Sequence, residues 1–457
     1  MSYNPDNQYR CAIIRGKAKS VIDDLLPVYA EILNTICPIE TSKFPALFNQ
    51  KLSKVIPMAE EKTLNNHRTE IVGKLFGMYY ECEEKTFSSE HTNRLVEDED
   101  QPAFFKDICF KIQFPNGMES TKTIKEKLSS NLKLRPCIYL VQFLKLCQEK
   151  DLKVSINDIG YYILNNLDVL QGKASPEIVI NRLITDKNKG IKKEIPTYNK
   201  ASSYSRQHIK ELLNYMELAN LVNIKGQDIE LNSLERKSIL AFENEDYSEL
   251  LFDIYSYSFE SAEDLKNIKL DFSEFMSRAS FKDRNIFYTP VEAIVQTGMT
   301  IEGLDPTTST EIGNLGEKLV FNYEKQLVQE WNPRYVGRVL SLGLTKGLGY
   351  DVQSVIREGS RSGQAIFIEV KSTRRATKPT DKNFDSVTLT RNEWLRAEQS
   401  LVDYFIYRVY FTKEGVFLFK LQDPVTESEN ETSQVFAEPI NYRLDFTIPS
   451  DKFLKIE

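Results

Sequence analysis

The alternation of apolar and polar positions predicts helices over most of the chain and a cluster of strands near its end. In KAKSVIDDLLPVYAEILNTI, Val21, Leu25, Leu26, Tyr29, Ile32 and Leu33 recur at helical spacing, and Pro38 closes the element. YRCAIIR before it reads as a short strand, and TEIVGKLFGMYY after it as a second helix. KTFSSEHTNRLVEDEDQ reads as an exposed helix or loop, and DICFKIQFPNG as a strand closing on a Pro-Asn-Gly turn. CIYLVQFLKLCQEK is an apolar helix. Ser155 and Asp158 then form a capping-box pattern, and Pro176 takes the first position of a helix over EIVINRLI. SRQHIKELLNYMELANLV places Ile209, Leu212, Leu213, Met216 and Leu221 on one face, and VNIKGQDIEL alternates around a Lys-Gly turn like a hairpin. Residues 236–308 read as acidic helices, then loop, with DPTTST as a linker. The final stretch opens with a helix over EIGNLGEKLVFNYEKQLVQEW. RYVGRVLSL, YDVQSVI, AIFIEVKS, YFIYRVYF and GVFLFKL are strands, and TRNEWLRAEQSL is a helix capped by Thr390.

Composition narrows the class. The 457 residues suggest about two to four domains with ample core. The six cysteines form no CxxC pair, which argues against zinc fingers and predicts reduced core thiols in a cytoplasmic protein. No apolar run approaches the length of a membrane span, and MSYNPDNQYR lacks the basic start and apolar core of an export signal. There is no GxxxxGK[ST] phosphate loop, so no ATPase is encoded. The net charge of −7 weighs against a nucleic-acid partner, but a local basic groove matters more than the sum.

Such a groove is predicted in residues 136–235. Short helices, a longer helix and a hairpin resemble winged-helix DNA-binding modules, including the specificity parts of some type IIS restriction enzymes. Ser203, Ser205, Arg206, Gln207 and Lys210 at the start of the long helix suit phosphate and base-edge contacts. Lys187, Lys189, Lys192 and Lys193 suit the DNA backbone. The plainer reading is a helical packing domain with a solvated charge run. Asn65, Asn66, His67 and Arg68 form a polar set that reads either as a base-reading motif or, more simply, as a helix start. The first segment as a whole resembles the N-terminal parts of some restriction endonucleases.

The candidate chemistry lies between Gly347 and Thr373. Period-two alternation puts Glu369 and Lys371 on one strand face and Val370 on the other. If the two strand-like runs pair as a hairpin, Asp351 approaches the same spot. Two carboxylates and a lysine suit Mg²⁺ at a phosphodiester. Gly347-Leu348-Gly349 provides a tight turn before Asp351. The histidines, His67, His91 and His208, all lie far from this stretch, which leaves a His-based mechanism little to work with.

Asp351…Glu369-Val370-Lys371 resembles the D…(E)xK signature of the PD-(D/E)XK nucleases. GNLGEKLVFNYE, GYD, FIEVKST, LTRNEW and YFIYRVYF occur in the order of one branch of that superfamily, the protein NO VEIN C-terminal domain. Tyr350 stands where the superfamily name has Pro. The resemblance implies that Asp351 and Glu369 bind Mg²⁺, with Mn²⁺ able to substitute, and that Lys371 assists the attacking water. It implies that Glu317 supports the metal, with Glu324 as second choice. Arg374, Arg375, Lys378 and Lys382 follow directly and read as a loop that holds the phosphodiester or as a solvated run. Trp394 reads as core.

The expected fold is multidomain α+β / α/β. Residues 1–135 form a recognition segment, 136–235 a winged-helix-like DNA-binding domain, 236–308 a helical connector, and 309–457 a restriction-endonuclease-like mixed sheet flanked by helices. The expected function is a metal-dependent DNA endonuclease of a restriction or phage-defence system, acting on double-stranded DNA. A homodimer and a cognate methyltransferase are the further partners expected, with no membrane. The rivals are a nuclease that senses methylated DNA and a non-cleaving DNA-binding module.

Overall fold

The helix Lys19–Ile36 forms because Ile22, Leu25, Leu26, Tyr29 and Leu33 line a buried stripe. Val21, expected on that stripe, is exposed instead. Asp23 and Asp24 on the same helix are buried as well. The coordinates are those of a computed structural model, which describes residues 11, 17–56, 59–195, 200–244, 252–290, 309–343, 347–379, 385–430, 433 and 435–438. The strand expected over YRCAIIR lies outside the described residues apart from buried Cys11, as do Lys382 and most of the DPTTST linker.

A small antiparallel sheet follows, in the order β1 (Ile39–Glu40), β3 (Lys85–Ser88), β2 (Tyr79–Cys82). The helix Glu90–Asp98 ends on Glu99 in a left-handed conformation. Asp100 then caps the helix Gln101–Lys111 by accepting from Ala103 N at 2.9 Å, with Pro102 in the first turn. DICFKIQFPNG was expected as a strand, and its first part is helix. The element is buried all round, so it shows no single apolar stripe. Its buried lysines are paired: Lys106 with Glu235 at 2.7 Å, and Lys111 with Asp107.

In the next region come the helices Pro136–Glu149, Pro176–Asn188 and Lys200–Leu218, and a three-stranded antiparallel sheet on which the first and last of them pack. Its order is β4 (Val154–Ser155), β6 (Asp228–Leu231), β5 (Val222–Lys225). The Ser155/Asp158 capping box is formed, and the hairpin turns at Gly226 with φ +66°. Helices Arg236–Glu243 and Ala262–Ser277 bury Phe242, Ile268 and Phe272 in the same core as Leu26 and Phe143. That core is continuous from Cys11 to Phe287, so neither position 135 nor position 235 is a break in the packing.

The C-terminal part is a mixed five-stranded sheet flanked by helices. Its order is β11 (Gly415–Gln422), β10 (Tyr404–Thr412), β9 (Ala365–Arg374), β8 (Val352–Val355), β7 (Leu340–Ser341). β9 and β10 run parallel, and every other neighbour is antiparallel. Helix Ser309–Trp331 packs Ile312, Leu315 and Val320 on Ile368, Val370 and Val409. On the opposite face, Ala397 of helix Arg391–Ser400 packs with Tyr404 and Ile406. RYVGRVLSL was expected as a strand. Asn332 and Pro333 start a 3-10 turn there, Pro333–Arg338, and leave only β7 extended. Trp394 is partly buried at the edge of that second cluster and donates to Glu398 at 2.8 Å.

Candidate functional site

The site forms where β8 and β9 meet. Gly349, at φ +76°, lies so close to the first turn of helix Arg391–Ser400 that a Cβ would meet the Asn392 carbonyl oxygen at 2.5 Å. Only glycine fits both that conformation and that approach. The chain then enters the ladder: Asp351 N donates to Ile368 O at 2.9 Å, and Asp351 Oδ2 accepts from Val370 N at 2.8 Å. This locks the Asp351 carboxylate beside Glu369. Lys371 Nζ lies 2.8 Å from Glu369 Oε1 and 3.2 Å from Glu393 Oε2. Glu317 approaches from the other helix, its carboxylate seated against Gly343, close enough to feel Asp351 and Lys371.

The charges at this site do not balance. Burial pushes the Glu369 carboxyl up to about 8; Lys371 opposes this, while Asp351 and Glu393 add to it. Burial, then Asp351, pushes Glu317 up to about 7, again against Lys371. Asp351 is also raised by burial, despite the Val370 N–H. Burial disfavours the Lys371 ammonium, but Glu369 and Glu393 more than offset this and hold it charged. Lys371 thus gains from the Glu369 pairing while Glu369 stays protonated more readily than usual. The asymmetry follows first from the burial of Glu369 and then from one ammonium shared among several carboxylates. Among the described residues, no three His, Cys, Asp or Glu side chains stand close enough together to enclose a metal ion. The donor set is nevertheless all carboxylate oxygen, short of positive charge, which is the chemistry that suits a hard divalent cation. Glu324, the second choice from sequence, is elsewhere: buried and saturated by Ser354, Arg357, Tyr407 and Lys420.

Arg374 and Arg375, expected to face a phosphodiester, do not. Both are buried. Arg374 Nη1 bonds Asp100 Oδ2 at 2.7 Å and its guanidinium stacks over Tyr288. Arg375 Nη2 reaches Asp24 at 2.6 Å and Asp23 at 3.2 Å. Arg408 on β10 joins them, pairing with Glu99 at 2.6 Å and Asp385 at 2.8 Å. These arginines hold the C-terminal sheet to the N-terminal part, and that explains the buried acids there. Lys378 is exposed and lies over Phe417.

The basic residues of the wing region are mostly at the surface. Arg206, Gln207 and Lys210 are exposed, and Arg206 donates to Ile195 O at 3.4 Å. Lys192 is exposed and paired with Glu194 at 2.7 Å, and Lys193 is half-buried. Lys187 donates to the Lys153 carbonyl. Ser203 and Ser205 lie in the first turns of helix Lys200–Leu218, their side chains outside the described residues. Of the Asn65–Arg68 set, only Asn66 is exposed, and the others are spent on internal contacts. His67 is buried on Tyr29, its imidazole pushed down to about 4 by burial, and Arg68 and Asn65 bond Asn49. Sequence reasoning missed Glu393 and the acids Asp23, Asp24, Glu99 and Asp100. The T-x-x-E spacing of Thr390 and Glu393 was the signal for the first; the buried acids had none.

Comparison with known proteins agrees with this architecture. The family model for the restriction endonuclease BpuJI N terminal matches residues 3–273, more than half of the chain, and the chain belongs to that family. The model for protein NO VEIN, C-terminal, matches residues 316–420. Among solved structures, the chain is similar to the BpuJ1 endonuclease binding domain in a crystal structure with pyrene- and phenanthrene-modified DNA. The identity is 45%, the TM-score 0.55, and the match covers 60% of this chain and 99% of that one. No curated protein matches. Among the described residues, no helix is long and apolar enough to cross a membrane.

Proposed function

We propose that this chain is a metal-dependent DNA endonuclease of the restriction type. Its N-terminal part recognises double-stranded DNA, and its C-terminal sheet cuts it. The observation that carries the reading is the juxtaposition of Asp351, at the entry to β8, with Glu369 and Lys371 on the paired strand β9, with too few positive charges for the carboxylates. Similarity of the N-terminal part to an endonuclease domain crystallised with DNA supports the choice of substrate.

Asp351 and Glu369 would hold the cation, with Glu317 beside them. A bound Mg²⁺ supplies charge neutralisation at the phosphate and a more acidic water. The protein's own contribution is placement. The Val370 N–H fixes the Asp351 carboxylate, burial keeps bulk water from competing, and the Lys371 ammonium is aimed where negative charge develops. Arg206, Lys210, Lys192 and Lys193 would bind the DNA backbone some distance from the cut.

The test is incubation of the full chain with assorted phage and plasmid DNA, with Mg²⁺ or with EDTA, followed by mapping of the ends. Cleavage confined to the Mg²⁺ arm is expected. Equal cutting in chelator would overturn the metal assignment.

A further inference from the structure

The Thr390/Glu393 capping box at the start of helix Arg391–Ser400 is doubly used. Glu393 Oε2 accepts from Thr390 N at 2.7 Å, and Glu393 N donates to Thr390 Oγ1 at 3.4 Å. That same Oε2 accepts from Lys371 Nζ at 3.2 Å. A capping box alone is a stability device. Here it also fixes a second carboxylate within reach of Lys371, besides Glu369.

Lys371 therefore stands between two anions, only one of which belongs to the set that would hold a cation. Its closer partner is Glu369 Oε1, at 2.8 Å. A divalent cation on that carboxylate repels the ammonium, and the lysine must move off. Without another acceptor it would swing into solvent and leave the reacting phosphate. Glu393, held in place by its cap, offers an acceptor that needs only a small shift of a flexible side chain.

We propose that Glu393 is a positioning residue for Lys371: it receives the lysine when a cation takes Glu369, and so keeps the ammonium at the site. The proposal rests on the nuclease reading. Glu393 touches neither substrate nor cation; it acts through Lys371.

The test uses the full chain and Glu393→Gln, since glutamine keeps the reciprocal cap but not the charge. Ca²⁺ titration of the DNA-free protein by calorimetry reads cation affinity without cleavage. Melting temperature reads the cap, and single-turnover cutting in Mg²⁺ at saturating DNA reads placement. Glu393→Gln is expected to melt like the parent, bind Ca²⁺ about tenfold more weakly, and cut about tenfold or more slowly, with DNA affinity unchanged. Because Glu393 acts through the lysine, adding Glu393→Gln to Lys371→Ala should leave Ca²⁺ affinity at the level of Lys371→Ala alone. Thr390→Ala, which cuts half the cap and leaves the charge, should lower the melting temperature and leave Ca²⁺ affinity within about twofold. If Glu393→Gln weakens Ca²⁺ equally with and without Lys371, the carboxylate acts only as bulk charge and the proposal is overturned. It is overturned also if Glu369→Gln abolishes Ca²⁺ binding while Glu393→Gln matches the parent; the nuclease reading survives that result. If the parent binds no Ca²⁺ and Glu369→Gln changes nothing, the nuclease reading falls and this inference with it.

Discussion

The middle of the strand β9 and its C-terminal end carry the same kinds of side chain and do opposite things. At Glu369 and Lys371, carboxylates outnumber the one ammonium, and burial leaves Glu369 up at about 8. Three residues on, Arg374 pairs with Asp100 and Arg375 with Asp23 and Asp24, all of them buried. Burial raises Asp100, but Arg374 and Lys106 outweigh it and hold that carboxyl below its ordinary range. Asp23 stays above its ordinary range because burial outweighs Arg375. Carboxylates exceed cations at both; a cluster that reaches solvent through Lys371 is poised for a ligand, while one buried throughout is a joint between parts of the chain. The joint is also a backbone one, since Arg374 N donates to Glu99 O at 2.9 Å. The strand that carries the candidate chemistry is thus pinned at its end to the family's N-terminal part.

The largest expected effect breaks the joint. Arg374→Ala leaves Asp100 buried without its main counter-charge and should cost about 3–5 kcal/mol of stability, read by denaturant unfolding. A shift under about 1 kcal/mol would mean that the pair is solvated in solution. Asp351→Ala and Glu369→Ala come next. Each should slow cleavage by about two orders of magnitude or more, and the pair together should be no worse than either alone, because the residues act as one unit. Single-turnover assays check this.

Burial, together with the excess of carboxylates, predicts a pH dependence. Glu369 at about 8 and Glu317 at about 7 lie above the ordinary carboxylate value of 4.5. The folded chain then retains protons that the unfolded chain has released, so this contribution falls as pH rises through about 4.5 to about 8 and is flat above. Melting in EDTA between about pH 5 and about pH 9 should show that decline, with a smaller slope in Glu369→Gln. Excess Ca²⁺ should restore stability at the alkaline end. The smallest effects concern the wing region. Removing Lys192, Lys193, Arg206 or Lys210 singly should reduce the salt dependence of DNA binding by about one unit of slope per lost phosphate contact, with cutting at saturation unchanged.

Period-two alternation placed Glu369 and Lys371 on one face because β9 is a regular strand whose Val370 packs inward. The wing was legible through its capping box, Pro176 and Lys-Gly turn, all local chemistry. The helix Gln101–Lys111 was not, because burial on every side erases the stripe that reveals a helix. Arg374 and Arg375 read as a basic loop because their partners lie in the first hundred residues, in Asp23, Asp24 and Asp100. No local pattern announces a pairing across that separation. Val21, exposed at a helical position of the apolar stripe, shows the same limit from the other side.

The most direct test of the contrast between the middle of β9 and its C-terminal end is the single-turnover cleavage rate of Lys371→Ala at saturating DNA in Mg²⁺. Because this lysine is partly exposed and not part of the joint, the variant should fold and bind DNA within a few-fold of the parent. Its cutting should be slower by about a hundredfold or more, the loss expected on removing one preorganised donor. Cutting at the parental rate by this variant would contradict the account and place the chemistry elsewhere in the chain.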